Sequence, residues 1–218
     1  YHGVKLRRYQ DLYDSCLFKE TNELIQNIQS GKMGMESYGV INMLNIKYMV
    51  FGPQRDNIIP NPSANGNAWF IQEVVSVDSP NEELRMVCDL DTRKAAVVNK
   101  SEFNIGSFAF DSSASVSLLE HNPNYLKYES QSQTDGLVVF SEIYYPKGWV
   151  AMIDGKDSQL FRADYVLRAL NVPSGKHTIE FRFQPKAYTI GNKISTASSW
   201  IMLLVLLGSI GLTLKREN

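Results

Sequence analysis

Residues 136–185, GLVVFSEIYYPKGWVAMIDGKDSQLFRADYVLRALNVPSGKHTIEFRFQP, decide the fold. Residues 137–145 read as a strand that opens on a continuous apolar run, Leu137-Val138-Val139-Phe140, which requires cover on both faces. Pro146-Lys147-Gly148 is a turn, and residues 149–153 form the next strand. Asp154-Gly155 signals a type I′ hairpin, because both central residues of that turn need positive φ. Residues 165–172 follow as a strand, then the turn Pro173-Ser174-Gly175. In 178–183, Ile179, Phe181 and Phe183 face one way and Thr178, Glu180 and Arg182 the other, the alternation of a half-buried antiparallel strand. Short strands with a turn signal between each predict an antiparallel sandwich.

Moving upstream, residues 115–120 and 125–130 flank the turn at 121–124 as a further strand pair, and residues 95–98 (AAVV) give a short buried strand. Ser79-Pro80-Asn81-Glu82 carries a Ser cap, Pro at the first helical position and Glu three residues after the cap, so a helix is expected over 80–90. Residues 67–77 (NAWFIQEVVSV) read as one strand, 54–66 as a loop rich in Asn and Pro, and 46–51 as a strand. A short helix is expected over 37–44. From 11 to about 30 the apolar residues fall at helical spacing, with a polar gap at Glu20 and Thr21 and a stop at Gly31 and Gly34.

Downstream, residues 194–214 contain no charged side chain. That length matches the ~20 residues a helix needs to cross the hydrocarbon core of a bilayer. The most apolar part is 200–214, ending in Lys215 and Arg216. Basic residues on the short tail favour a cytoplasmic C-terminus and hence an extracytoplasmic β region, although Lys186 and Lys193 reduce the asymmetry. The expected class is α+β: an antiparallel β-sandwich-rich domain with N-terminal helices and one C-terminal transmembrane helix. The expected divisions are a helical membrane-proximal segment (1–45), a mixed subdomain (46–112), the sandwich (113–190) and the transmembrane helix (194–214). The chain begins at Tyr1 without a signal-peptide pattern, which leaves a tail-anchored protein or the C-terminal part of a longer membrane protein; the second is favoured.

The 22 basic and 23 acidic residues give a net charge of -1, which leaves no electrostatic footprint for nucleic acid. Two cysteines are too few for a disulfide framework or a zinc cluster, and a Cys16–Cys88 bridge is open only to an extracytoplasmic domain. His2, His121 and His177 are scattered without metal-ligand spacing, and no nucleophile elbow, phosphate loop or dinucleotide fingerprint is present. No catalytic, metal or cofactor residue is therefore assigned. Two groups are singled out. The basic residues His2, Lys5, Arg7 and Arg8 form either a solvated interfacial segment or a contact for phosphate or lipid headgroups. Tyr144, Tyr145 and Trp149 offer either a sugar-stacking platform or core packing, and packing is favoured for Trp149, which alternates with Ala151 and Ile153.

Five stretches in order, YHGVKLRRYQDL (1–12), INMLNIKYMVFG (41–52), NPSANGNAWFIQEV (61–74), SEIYYPKGWVAMIDGK (141–156) and NVPSGKHTIEFRFQP (171–185), resemble the YfhO family of bacterial polytopic membrane proteins. That family looks like GT-C type glycosyltransferases, whose extracytoplasmic active site takes a sugar from a polyprenyl-phosphate donor. The resemblance implies a C-terminal extracytoplasmic region (1–193) plus the last membrane helix, in the bacterial cytoplasmic membrane. The implied partners are the lipid bilayer, an upstream transmembrane bundle, a polyprenyl-phosphate sugar and an envelope glycan. The catalytic acid of such enzymes lies in an early loop, so none is carried over here. Tyr1, His2 and Lys5 match the segment expected near the donor phosphate. The alternative is a membrane-anchored carbohydrate-binding or purely structural β module.

Overall fold

The structure, a computed structural model, describes residues 6–32, 34–54, 57–106 and 108–217, without the side chains of residues 186, 189, 210, 211 and 213–217. It is an α+β protein with mostly antiparallel sheets and one long apolar C-terminal helix. Two sheets make the sandwich. The five-stranded sheet comprises β6 (Ser115–Asn122), β7 (Tyr125–Ser132), β9 (Trp149–Ile153), β10 (Lys156–Ser158) and β13 (Gly175–Phe183), in the order β10-β9-β13-β7-β6. The four-stranded sheet, in the order β11-β12-β8-β3, comprises β3 (Ala68–Phe70), β8 (Gly136–Ile143), β11 (Phe161–Ala163) and β12 (Leu167–Val172).

The period-2 geometry of a strand explains why the apolar run in β8 is unbroken. Val138 and Phe140 point into the sandwich, where they meet Leu126, Tyr128, Ile179 and Phe181. The rings of Tyr128, Phe140 and Phe181 pack edge to face, with centroids 4.8–5.9 Å apart. Leu137 and Val139 point the other way, into a second core shared with the N-terminal helices. Fully burying each such side chain is worth about 1.5–3 kcal/mol, so both faces hold β8 in register.

The second core is roofed by α1 (Arg7–Leu12), α2 (Phe18–Gln29), joined by a π-helical turn at Tyr13–Leu17, and α3 (Gly39–Met43). Beside them, β4 (Glu73–Val77) and β5 (Ala95–Asn99) pair in parallel, linked by α4 (Pro80–Val87) as a βαβ unit. The cap of α4 forms as expected: Ser79 Oγ accepts the Glu82 N–H at 3.3 Å. The Glu82 carboxylate reaches one residue further back, to the Asp78 N–H at 3.2 Å. A small hairpin, β1 (Tyr48–Val50) with β2 (Ile58–Pro60), completes the N-terminal half.

Three expectations change. Residues 67–77 are two strands, because Ile71 still bonds to Leu137 while Gln72 and Glu73 turn to the Lys94 carbonyl, moving the chain from β8 to β5. The strand expected over 165–172 begins at Leu167; Asp164 and Tyr165 take positive φ (49° and 67°) to turn the chain after β11, a strand the sequence had not announced. The strand over 46–51 shortens to Tyr48–Val50. The Asp154-Gly155 hairpin is present, with φ of 51° and 75°.

The C-terminal helix α5 runs Lys186–Glu217, separated from β13 only by Gln184 and Pro185. Its apolar stretch Ile190–Ser209 has a mean hydropathy of 1.4 and none of it is buried within the chain. Gly148 (φ 135°) closes the joint: a Cβ there would sit 2.7 Å from the Phe183 ring and 3.2 Å from Pro185.

Candidate functional site

A cleft of about 1170 Å³ lies between the N-terminal helices and the end of α4. Its floor is tied down from four directions. Glu20, the polar gap in the helical pattern, is buried and accepts the Val40 and Ile41 N–H groups at 3.0 and 2.8 Å. It thereby caps α3, which has no capping side chain of its own. Burial raises the Glu20 pKa, and these two backbone bonds oppose the rise. Thr92 donates to the Gly39 carbonyl (2.8 Å) and accepts from Asn65 (3.2 Å), while Asn61 bonds to Asn42 at 2.9 Å. Arg93 clamps the Asn-rich loop through the carbonyls of Ser63 and Ala64 at 3.0 and 2.9 Å.

One wall of the cleft is covalent. Cys16, in the π-helical turn, and Cys88, at the end of α4, form a disulfide with a Cα–Cα distance of 5.2 Å. Around it stand Lys19, Glu23, Arg85, Asp89, Asp91 and Lys94, with Pro62, Leu84 and Leu90 as the main apolar lining. Asp91 pairs with Lys94 at 2.8 Å and holds the lysine pKa above its ordinary value. The lining is a mixture of amides, hydroxyls, carboxylates and cations without aromatic side chains or histidine. Such a surface offers donors and acceptors to a polyhydroxylated ligand and little to an apolar one. No cluster of three metal-ligating side chains occurs among the described residues.

A second polar cluster lies beneath α1. Glu83, wholly buried, accepts from Arg162 (3.2 and 3.4 Å), from Arg8 (3.3 Å) and from the Tyr165 N–H (3.2 Å). Arg162 also bonds to Glu102 at 3.0 Å, which holds the Glu102 pKa down. Burial works against the Arg162 charge, but its bonds to Glu102 and Glu83 outweigh that and keep its pKa above the ordinary value. Asp164 pairs with Val97 as a strand neighbour would: its N–H reaches the Val97 carbonyl at 2.9 Å and its Oδ1 accepts the Val97 N–H at 2.8 Å. Burial pushes its pKa up to about 8, with the Glu83 charge adding to the rise. Glu83 and Asp164 are both fully enclosed, so no substrate reaches them and their role is structural.

That assignment has a measurable consequence. In the unfolded chain Asp164 loses its proton near 3.8, whereas in the folded chain it keeps it to about 8. Between those values the unfolded state binds fewer protons, so the contribution of Asp164 to stability falls as pH rises from about 4 to about 8. Asp164→Asn keeps the acceptor for Val97 and removes the titration. Its stability relative to the parent is expected to grow across that window by a few kcal/mol, at ~1.4 kcal/mol per pKa unit. Denaturant midpoints of both chains at pH 4.5, 6 and 8 test this, and a difference independent of pH refutes it.

The residues singled out from sequence scatter. His2 and Lys5 lie outside the described residues. Arg7 is exposed and forms no ion pair among the described residues, whereas Arg8 is held by Glu83 and Glu102 and stacks on the Tyr165 ring at 4.7 Å. Tyr144 meets Phe103 edge to face at 5.9 Å, on the Arg162 side of the sheet. Trp149 packs into the sandwich with the buried Arg168 guanidinium 4.1 Å from its ring and Phe183 against it at 5.3 Å. Tyr145 is exposed. The three aromatics thus face different surroundings, and the cleft residues Asn65, Thr92 and Arg93 had no motif to reveal them. The polar gap at Glu20 and the density of Asn in 61–67 were the visible signals.

This β-rich region and the first part of α5 have a known likeness. Residues 109–195 match the family model of the bacterial membrane protein YfhO. The YfhO match covers the strands from β6 through β13 and enters the apolar helix, which is long and apolar enough to cross a membrane. The cleft lies upstream of the YfhO-matched residues. No curated protein matches the chain, and no solved structure does.

Proposed function

We propose that this chain forms the extracytoplasmic C-terminal part of a polytopic GT-C type glycosyltransferase of the bacterial cytoplasmic membrane. In this reading the polar cleft holds the cell-envelope glycan that accepts a sugar from a polyprenyl-phosphate donor. The carrying observation is the Cys16–Cys88 disulfide set in the wall of that cleft. Disulfides persist on the oxidising side of the membrane, where envelope glycans are built. The hydrogen-bonding lining supports a sugar chain as the occupant, held by polar contacts with Pro62, Leu84 and Leu90 beside them rather than by aromatic stacking.

The catalytic acid belongs to an upstream loop in this reading, and residues 1–193 lie outside the cytoplasm with the C-terminus inside. Arg7, with His2 and Lys5, is the candidate contact for the donor phosphate; His2→Ala with Lys5→Ala in the full-length enzyme should reduce transfer, and unchanged transfer removes that role. The cleft is tested by titrating the full chain, held in nanodiscs, with soluble envelope oligosaccharides and polysaccharides. Saturable binding that weakens at least fivefold in Arg85→Ala and Asp89→Ala is expected. Absence of binding to every polymer favours a purely structural module.

A further inference from the structure

The direction of each strand fixes what lies near the bilayer. β13 ends at Phe183, and the apolar span of α5 begins at Ile190. From Lys186 to Ile190 is a rise of only about 6 Å along a helix, so the Phe183 end of the sandwich sits at headgroup depth. Trp149 of β9 is opposite Phe183. Tyr125 of β7 is opposite Arg182, so β7 runs away from this end, and β8, returning after the turn at 133–135, comes back to it at Ile143. β3 is antiparallel to β8, and Asn67, just before β3, accepts the Ser141 N–H at 2.9 Å. Ser141 Oγ also donates to the Met43 carbonyl at 2.8 Å.

The β1–β2 hairpin is rooted at this same end. Asn61 ties its base through the Lys47 and Ile46 carbonyls at 2.8 and 2.9 Å. The register places Met49 opposite Ile59 on the inner face, and both pack on the core. The outer face carries Tyr48 and Val50, each 66% exposed, Ile58 at 45%, and the exposed Pro60 opposite Tyr48; Phe51, just past the strand, is 43% exposed. A sheet face of Tyr48, Val50, Ile58 and Pro60, with no charged side chain, is an exposed apolar patch of the kind that marks a contact surface.

We propose that the outer face of the β1–β2 hairpin rests in the headgroup–acyl boundary of the bilayer, as a second membrane contact beside α5. The bilayer is the occupant because it is continuous with the membrane that α5 enters, and because the face has an interfacial composition: an amphipathic Tyr48 beside the aliphatic Val50 and Ile58, with the exposed Lys47 at the root. This contact does not depend on sugar transfer.

The test places a photo-reactive p-benzoylphenylalanine in the full chain, one copy per nanodisc of phosphatidylethanolamine and phosphatidylglycerol. Ile58→p-benzoylphenylalanine is expected to give lipid adducts by intact-mass analysis. Phe110→p-benzoylphenylalanine is the control: its neighbours Ala109 and Asp111 bond to Asp135 and Gln133, at the opposite end, and it is 46% exposed, so it should give none. Tyr48→p-benzoylphenylalanine, nearer in shape to the parent, replaces the position-58 variant should that one misfold. Adducts only to protein, no adducts from either hairpin position, or equal adducts from position 110 overturn the proposal.

Discussion

Replacing Cys16 and Cys88 together by serine is expected to lower the stability of the chain by roughly 4 kcal/mol. The bridge spans 72 residues, and closing a loop of that length removes entropy worth about that much from the unfolded chain. The loss should be concentrated in the N-terminal half, because the bond joins the π-helical turn after α1 to the end of α4 and nothing else covalent closes the cleft. Urea unfolding of the full chain in detergent, followed by near-ultraviolet dichroism without reductant, gives the number. Reductant should move the parent to the midpoint of the double variant and leave that variant unmoved. Coincident midpoints for oxidised parent and variant would discard the structural role of the bond.

The second large effect is at Arg162. Arg162→Met should cost about 3 kcal/mol, because removing one partner of a buried pair strands the other charge. The cost is no larger because Glu83 keeps its bonds from Arg8 and from the Tyr165 N–H. Adding Glu83→Gln should recover most of the loss, the coupling that a double-mutant cycle isolates. By contrast, breaking the exposed pairs Lys19–Glu23 or Lys176–Glu129 should shift stability by less than about 0.5 kcal/mol. If Arg162→Met and Lys176→Met cost the same, the cluster under α1 is not a structural keystone.

How much of this was legible depends on whether the partner of a residue is near in sequence. Hairpins are local, so Asp154-Gly155 and the alternation of Ile179 and Phe181 declared their strands and faces. The unbroken run 137–140 declared a strand covered twice, since periodicity records burial. Periodicity does not record which neighbour does the burying, so the change of partner at Gln72 was invisible inside a uniformly strand-forming stretch. The turn at Asp164-Tyr165 lacks Gly and Pro, and its positive φ is held by a bond to Val97, 67 residues away. Glu20 broke the helical pattern for a reason that lay in α3 rather than in solvent. The cleft suffers most from this, because every group in its floor is defined by a tertiary bond. Tyr144 and Trp149, conspicuous as residue types, have their ring contacts with other core side chains.

The joint between β13 and α5 carries a mechanical consequence. β13 is the middle strand of its sheet, laddered to β7 on one side and β9 on the other, and it passes into the helix after two residues. A pull transmitted along α5 therefore loads β13 lengthwise, against both ladders at once, instead of peeling an edge strand bond by bond. Pro185, packed under Gly148, leaves little slack in the connection. With α5 in a bilayer, as proposed, a change in helix tilt would act on the sandwich through its middle strand rather than through an edge.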